Sequence, residues 1–366
     1  MQIRNIPNNL KKFFAKVWRG FVKWWHKAWW AKLITVLIGG VLIILVGLYG
    51  VARWYVATNN DKPLQLGVTF IPDYAKSLGL DEKEAMDALV DDLGVKHFRL
   101  VSYWNKYESE QGKYDFSDLD WQFEKAEKAD AKVSLAIGLR QPRWPECHMP
   151  DWAKNKPVDE WQPALEKYIK TVVSRYKNSS SLESYQLENE YFLHAFANCP
   201  GTTRERLTSE FNLVKKTDPS KPIIMTRSTN NPSLVLSNPR PDIVGVSVYR
   251  KVWNENIYKG YYDYPLPSWY YAGIAGLQKI FTGKNSMLHE MQMEPWPPGG
   301  RFIADVPIKE QNESMNADMF ASRIDFAKNT GMRTIDLWGA EWWYWRLEKA
   351  NDPSLWNAAK EAFQTN

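Results

Sequence analysis

KHFRLVSYWNKYESEQGKYDFSDLDWQFEKAEKADAKVSLAIG, residues Lys96–Gly138, decides how the fold is read. Its first six residues, Lys96–Val101, form a β-rich run. Phe116–Ala129 reads as a helix with Ser117 as a candidate N-cap. Lys132–Gly138 is again a strand. Strand, helix and strand in one short stretch predict a parallel βαβ unit.

The same rhythm continues on both sides. Upstream lie a strand over Gln65–Phe70 and a helix over Asp81–Leu93, with Ala85, Met86, Leu89, Val90 and Leu93 on one side. Downstream, a helix over Val158–Tyr176 leads to the fourth strand, Ser184–Glu188, and a helix over Thr203–Thr217. Pro222–Thr226 is the fifth strand, with only a short helix or turn behind it. Ile243–Val248 is the sixth, followed by a helix near Trp269–Phe281. Ser286–His289 is the seventh, followed by a helix over Asn312–Asn329. Thr334–Trp338 is the eighth, and Pro353–Phe363 closes the chain. Eight strands alternating with helices predict an α/β fold, a (β/α)8 TIM barrel over residues 64–366. A doubly wound open sheet is the alternative. No Gly-x-Gly-x-x-Gly follows the first strand and no P-loop occurs.

The region before the barrel is different. Leu33–Ala52 is 20 residues without a charge. At about 1.5 Å per residue it matches the roughly 30 Å hydrocarbon core of a bilayer. A buried soluble helix and a cleaved signal peptide are the alternatives. The run exceeds the ~7–15 residues of a signal-peptide core, and Val51-Ala52-Arg53-Trp54 is a poor cleavage site. One transmembrane helix over residues 33–55, an uncleaved signal anchor, fits best, with a linker over residues 56–63. Residues 1–32 hold eight Lys/Arg and no Asp/Glu, and Arg53 is the only cation close behind the run. The positive-inside rule therefore puts the N-terminus in the cytoplasm and the barrel outside, on a single-pass cell-membrane protein. Lys11–Lys32 interleaves cations with Trp18, Trp24, Trp25, Trp29 and Trp30. That mix suits either a helix on anionic headgroups or a purely topogenic tail. The net charge of +5 belongs to this tail. Residues 59–366 hold 38 Lys/Arg against 42 Asp/Glu, which argues against a nucleic-acid partner.

In a (β/α)8 barrel the chemistry sits at the C-terminal ends of the strands. Those ends carry Arg99 with Tyr103-Trp104, then Arg140 with Arg143-Trp144, and Glu188-Asn189-Glu190. They also carry Tyr249-Arg250, His289-Glu290 with Glu294-Pro295-Trp296, and Trp338 with Glu341-Trp342-Trp343. Two carboxyl groups flanking an acetal suffice for glycoside hydrolysis, one as acid and one as nucleophile or base. Aromatic rings offer flat faces to the C–H side of a sugar. Trp104, Trp144, Trp296 and Trp338 are candidate platforms, whereas Trp121 and Trp356 read as core.

These residues resemble a clan of retaining glycoside hydrolases built on (β/α)8 barrels, which includes the family 5 cellulases and mannanases. The resemblance is carried by Phe98-Arg99-Leu100 leading to Trp104, by Tyr107-Glu108 with Gly112-Lys113-Tyr114-Asp115-Phe116, by Gln186–Glu190, by Leu288-His289-Glu290 and by Leu337–Ala340. It implies that Glu190 is the acid/base, Glu290 the nucleophile, and Asn189 a partner of the substrate 2-hydroxyl. Arg99 would sit beside the nucleophile and favour its charged form. Tyr249 would donate to the same carboxylate, and Trp338 would floor the reacting sugar's subsite. The clan's seventh strand often reads Ile-Thr-Glu, whereas Leu-His-Glu stands here. Glu294 is the rival nucleophile and Glu188 the rival acid.

Cys147 and Cys199 follow the third and fourth strands on the same face. In an exported domain they are expected to form a disulfide, free thiols being the alternative. A metal is not expected: His148 and His194 lie nearby, but no ligand spacing is met. The reading implies no cofactor, a β-linked poly- or oligosaccharide substrate, and a lipid bilayer as partner of the N-terminal helix. Its rivals are a transglycosylase using the same residues and an inactive barrel that binds surface glycan.

Overall fold

The structure, a computed structural model, describes residues 8–365 except 27, 194–196, 198, 229–233 and 256–258. The chain falls into two units, Met1–Val51 and Ala52–Asn366.

In the larger unit eight parallel strands close into a barrel. They are β1 (Gln65–Thr69), β2 (His97–Val101), β3 (Lys132–Ile137), β4 (Leu182–Leu187), β5 (Ile223–Arg227), β6 (Ile243–Val248), β7 (Asn285–Gln292) and β8 (Thr334–Trp338). Each pairs with its sequence neighbours, and β1 also pairs with β8, from Gln65 opposite Thr334 to Val68 opposite Leu337. That closing pair excludes the open sheet. Strand residues are buried nearly throughout, as expected where helices cover the outside and side chains fill the inside.

Local chemistry explains the helix starts. Asp81 caps Glu82–Asp91 by accepting from the Lys83 and Glu84 N–H groups, and Thr203 caps Arg204–Thr217. Ser117 does not cap its helix. It is the first helical residue of Ser117–Lys128, and its own N–H donates to Asp115 Oδ1 at 2.9 Å.

Two strands carry one extra residue. On β7, Leu288 faces Ile335 while Met291 faces Leu337, and Val246 and Ser247 face Leu288 and Glu290. Against β6 the extra residue is His289, and against β8 His289 and Glu290 together stand opposite Asp336, which makes a β-bulge here. On β4 the skipped residue is Glu183. Bulges re-aim side chains and occur beside active sites.

Below the site the barrel interior is ionic. His97 Nδ1 lies 2.7 Å from Asp336 Oδ1, and His289 Nδ1 lies 2.6 Å from Asp336 Oδ2. His97 Nε2 reaches Glu183 at 3.1 Å. Burial lowers the His97 pKa, but Asp336 and Glu183 outweigh it and bring it to about 10. Burial and the Arg99 charge take His289 the other way, to about 4. His289 is therefore a neutral donor to an Asp336 held well below the usual carboxylate range. Gly67 has no room for a side chain here: a Cβ would lie 2.5 Å from His97 Nδ1.

Several elements depart from the sequence reading. An antiparallel hairpin, Lys251–Asn254 with Gly260–Asp263, follows β6. A helix Ala340–Glu348 follows β8 and buries Trp342 and Trp343 in the core, so they are not at the mouth. The apolar helix spans Trp29–Asn59 and so extends beyond residues 33–55 at both ends. Its end, from Ala52, belongs to the barrel unit: Ala52, Tyr55 and Asn59 are buried, and Gly331 faces Val56. The expected linker over 56–63 is correspondingly shorter. Tyr55 and Asn59 share one helix face, and Asn59 Nδ2 donates to the Tyr55 carbonyl.

The smaller unit holds a helix Asn8–Trp25 and the start of the apolar helix. Among the described residues, Trp29–Asn59 is the one helix long and apolar enough to cross a membrane, with a mean hydropathy of 2.6 over 18 of its residues.

Candidate active site

Arg99, midway along β2 rather than at its end, is fully buried and organises the mouth of the barrel. One Nη donates to Glu290 Oε1 at 2.6 Å and to the His289 carbonyl at 3.2 Å. The other donates to Asn189 Oδ1 at 3.0 Å, and Nε donates to Gln186 Oε1 at 2.7 Å. One side chain therefore ties the ends of β4 and β7 together. The bulge at His289 lets two consecutive residues work inward: His289 reaches Asp336 and Glu290 reaches Arg99. Glu290 Oε2 accepts from Tyr249 Oη at 3.1 Å. Burial and the Glu290 charge raise Tyr249 well above its ordinary value, so it remains a donor.

Glu188 and Glu190 both have positive φ, +55° and +43°. Such left-handed backbone costs a non-glycine residue about 1–2 kcal/mol. Glu188 explains part of the turn. Its carboxylate accepts from the N–H groups of Leu139 and Arg140 at 2.7 and 2.8 Å. It is the tie between the ends of β3 and β4, and this role takes it out of contention as the acid. Gly138, at φ +109°, allows that approach, because a Cβ there would meet Glu188 Oε1 at 2.5 Å. The Glu190 N–H donates to Thr226 Oγ1 at 2.7 Å, and that hydroxyl lies 3.3 Å from Asn189 Oδ1.

Glu190 is 6% exposed, its Oε1 is buried without a hydrogen-bond partner, and the nearby Ser247 hydroxyl favours its charged form. Burial, then the charge of Glu290, pushes its pKa up to about 8. A protonated carboxyl beside an anionic one is the pairing that acid and nucleophile roles require. A third carboxylate, Glu146, was not singled out from the sequence. It sits on the loop after β3, where Arg140 Nε donates to it at 2.7 Å. Burial raises its pKa, and its charge also raises that of Glu190. Arg143 and Glu146 both have positive φ in this loop, so the sequence alone does not reveal the approach.

Glu294 is engaged differently from Glu290. Trp338 Nε1 donates to its Oε1 at 2.6 Å, Tyr74 Oη donates to Oε2 at 3.2 Å, and Arg143 spans both oxygens at 3.2 Å. The Arg143 guanidinium lies between two rings, 3.4 Å from the Tyr74 centroid and 4.5 Å from that of Trp338. Glu341, buried nearby, accepts from the Ile71 N–H at 2.5 Å and is pushed up to about 7 by burial. Arg143 stands among the strand-end residues read from the sequence, whereas Tyr74 does not.

The aromatic candidates separate. Trp104 is fully buried; its Nε1 donates to Glu108 Oε2 at 2.7 Å, and Trp152 packs edge-on at 5.4 Å. It has no face left for a sugar, which corrects the expectation for it. The short helix Trp104–Tyr107 turns its ring into the core. Trp144 is 75% exposed on the loop after β3. Trp296 is half-buried, edge-on to Tyr249 at 5.5 Å.

Cys147 and Cys199 are joined as a disulfide, which links the loops after β3 and β4. His148 is stacked on Tyr103 at 3.6 Å, and burial lowers it to about 4. His194 lies outside the described residues. Among the described residues no three His, Cys, Asp or Glu side chains converge as a metal site.

A family model described as cellulase (glycosyl hydrolase family 5) matches residues 59–265. The chain belongs to this family. The matched stretch includes Glu190 and stops before Glu290. This glycoside hydrolase also resembles solved structures at the level of fold. Native xylanase 10B from Thermotoga maritima superposes with a TM-score of 0.54 at 17% identity, over 87% of this chain and 98% of that one. A β-galactosidase from the haloarchaeon Halorubrum lacusprofundi gives 0.53 at 14%, over 82% and 58%. A GH5_18 protein from Streptomyces cattleya, in complex with GlcNAc, gives 0.52 at 12%, over 75% and 70%. A search of curated protein sequences gave no match.

Proposed function

We propose that this glycoside hydrolase cleaves a β-linked, neutral poly- or oligosaccharide with retention, on the outer side of a membrane that its N-terminal helix crosses. The observation that carries the reading is the Glu190–Glu290 pair. One carboxyl is buried, without a partner on Oε1 and raised to about 8. The other is fixed through both oxygens by Arg99 and Tyr249.

In the first step Glu290 attacks the anomeric carbon, and the bond to the aglycone oxygen breaks. Glu190 gives its proton to that oxygen. Glu190, now an anion, takes a proton from water as the water attacks the same carbon and releases Glu290. Asn189 is fixed by Arg99, Gln186 and Thr226 to meet the 2-hydroxyl. Trp338 is 5% exposed with Arg143 over its ring, and it floors the reacting sugar with the part of the ring that Arg143 leaves open. Trp144 and Trp296 serve outer subsites.

The disulfide supports an oxidising compartment. Eight cations before the apolar run and Arg53 behind it support a cytoplasmic N-terminus. Within the barrel unit the chain arrives beside Gly331, which precedes β8, and so at the end opposite the mouth.

The test is turnover by the full chain on aryl β-glycosides and on β-glucans, mannans, xylans and galactans, with Glu290→Gln beside it. Activity that falls by about 10³-fold or more in the variant supports the reading and names the sugar. Activity that survives moves the nucleophile to Glu294. Folded, glycan-binding protein without turnover on any substrate makes the barrel a receptor.

A further inference from the structure

The helix Asn8–Trp25 sorts its residues onto two faces. Lys12, Lys16, Arg19 and Lys23 recur at steps of three and four and form one stripe, with no acidic residue in the helix. Phe14, Val17, Trp18 and Phe21 line an apolar patch away from that stripe, and all four are exposed. An apolar patch of this kind left in water is a contact surface awaiting a partner.

Two observations identify the occupant. The stripe is purely cationic, so it complements a negatively charged surface. The patch is also continuous in sequence with the apolar helix, and side chains of the two helices meet. Trp24 Nε1 donates to Thr35 Oγ1 at 3.2 Å, Trp24 meets the Trp30 ring at 5.1 Å, and Lys32 lies 5.9 Å from the Trp25 ring. The uncharged run begins at Leu33, so these contacts hold the end of the first helix at the point where the span begins. Trp and Lys at such a junction favour the headgroup level.

We propose that Asn8–Trp25 lies in the plane of an anionic lipid leaflet, its Phe14–Phe21 face among the upper acyl chains and its Lys/Arg stripe among the headgroups. The proposal rests on the reading that Trp29–Asn59 crosses the same bilayer. The first helix then acts as a second, charge-dependent lipid contact. Each cation near an anionic surface contributes about fivefold to partitioning, screened by salt.

The test uses the full chain in nanodiscs of phosphatidylcholine alone or with 30% phosphatidylglycerol. An environment-sensitive fluorophore is placed at Val17→Cys, Lys16→Cys or Ile43→Cys; the native cysteines are paired and do not react. In anionic discs the label at 17 should shift to the blue and be quenched by shallow spin-labelled lipid. The label at 16 should answer to aqueous iodide. Changing Lys12, Arg19 and Lys23 to Gln should lower the lipid-quenched fraction at 17 by about tenfold or more at physiological salt. Equal iodide quenching at 16 and 17, with 43 quenched by deep spin-labelled lipid, would overturn the proposal while leaving the span intact. Protection at 17 from both quenchers would overturn it in favour of a second copy of the chain. Iodide access at 43 would remove the span itself, and the proposal with it.

Discussion

Replacing Arg99 with Met tests how the site is held. The guanidinium is fully buried and donates to Glu290, His289, Gln186 and Asn189. Met fills much of the volume but leaves the Glu290 carboxylate without its cation and takes the Arg99 donor from Gln186 Oε1 and the His289 carbonyl, while Asn189 Oδ1 keeps Gln186 and Thr226. Removing one partner of a buried ion pair costs about 3–5 kcal/mol, and each orphaned acceptor adds to that without full additivity. Glu290→Leu alone strands the buried Arg99 charge and is similarly costly. Arg99→Met with Glu290→Leu removes both charges, so the double variant should cost less than the sum of the singles by about 2 kcal/mol or more. Urea unfolding of the full chain in detergent, followed by tryptophan fluorescence, measures the cycle. Arg99→Met should also lose about 10²-fold or more in kcat/KM, because Glu290 and Asn189 lose their shared fix. Additivity within about 0.5 kcal/mol, with activity kept within tenfold, would refute the account of Arg99 as the organiser.

Other consequences concern pH and the loops. Glu190 must be protonated to act as acid, so kcat/KM should fall as pH rises through about 8, where burial and Glu290 have raised it. A limb below pH 6 would contradict this. Glu146→Gln removes a neighbouring anion and should move that limb to lower pH, as a pH–rate profile would show. His97 stands at about 10 in the folded chain against an ordinary ~6.5, so its contribution is complete below pH 6.5 and is lost as pH rises through 10. Urea midpoints of the native chain should therefore drop between pH 7 and 10 more steeply than those of His97→Gln. The Cys147–Cys199 bond closes a separation of 52 residues, which the chain-entropy model values at about 4 kcal/mol. Cys147→Ser with Cys199→Ser should lower the unfolding midpoint accordingly; an unchanged midpoint would show that these loops are already ordered without it.

The barrel was legible because each strand is a short apolar run between amphipathic helices. Val158–Tyr176, Ile243–Val248 and Thr334–Trp338 match their expected bounds. The strand ends then placed Arg99, Glu190, Tyr249 and Glu290 together. What escaped depended on direction rather than position. Trp104 stands in the right loop, but a helical turn aims it into the core. Trp342 and Trp343 follow the end of the eighth strand in sequence, yet a helix buries them. Glu146 reaches the carboxylate pair only because its loop turns through positive φ at Arg143 and at Glu146 itself. His289 departed from the clan's pattern, and the bulge explains why: the position serves Asp336 while Glu290 still faces Arg99. No residue type in the sequence announces a bulge.

The most direct measurement is covalent trapping. A 2-deoxy-2-fluoro glycoside with a good leaving group, matched to the sugar the chain prefers, should slow release of the intermediate more than its formation. Peptide mass spectrometry of the full chain should then find the fluorosugar on Glu290, one per molecule, with none on the Glu290→Gln variant. Sugar on Glu294, or turnover of the reagent with inversion and no adduct, would contradict the account.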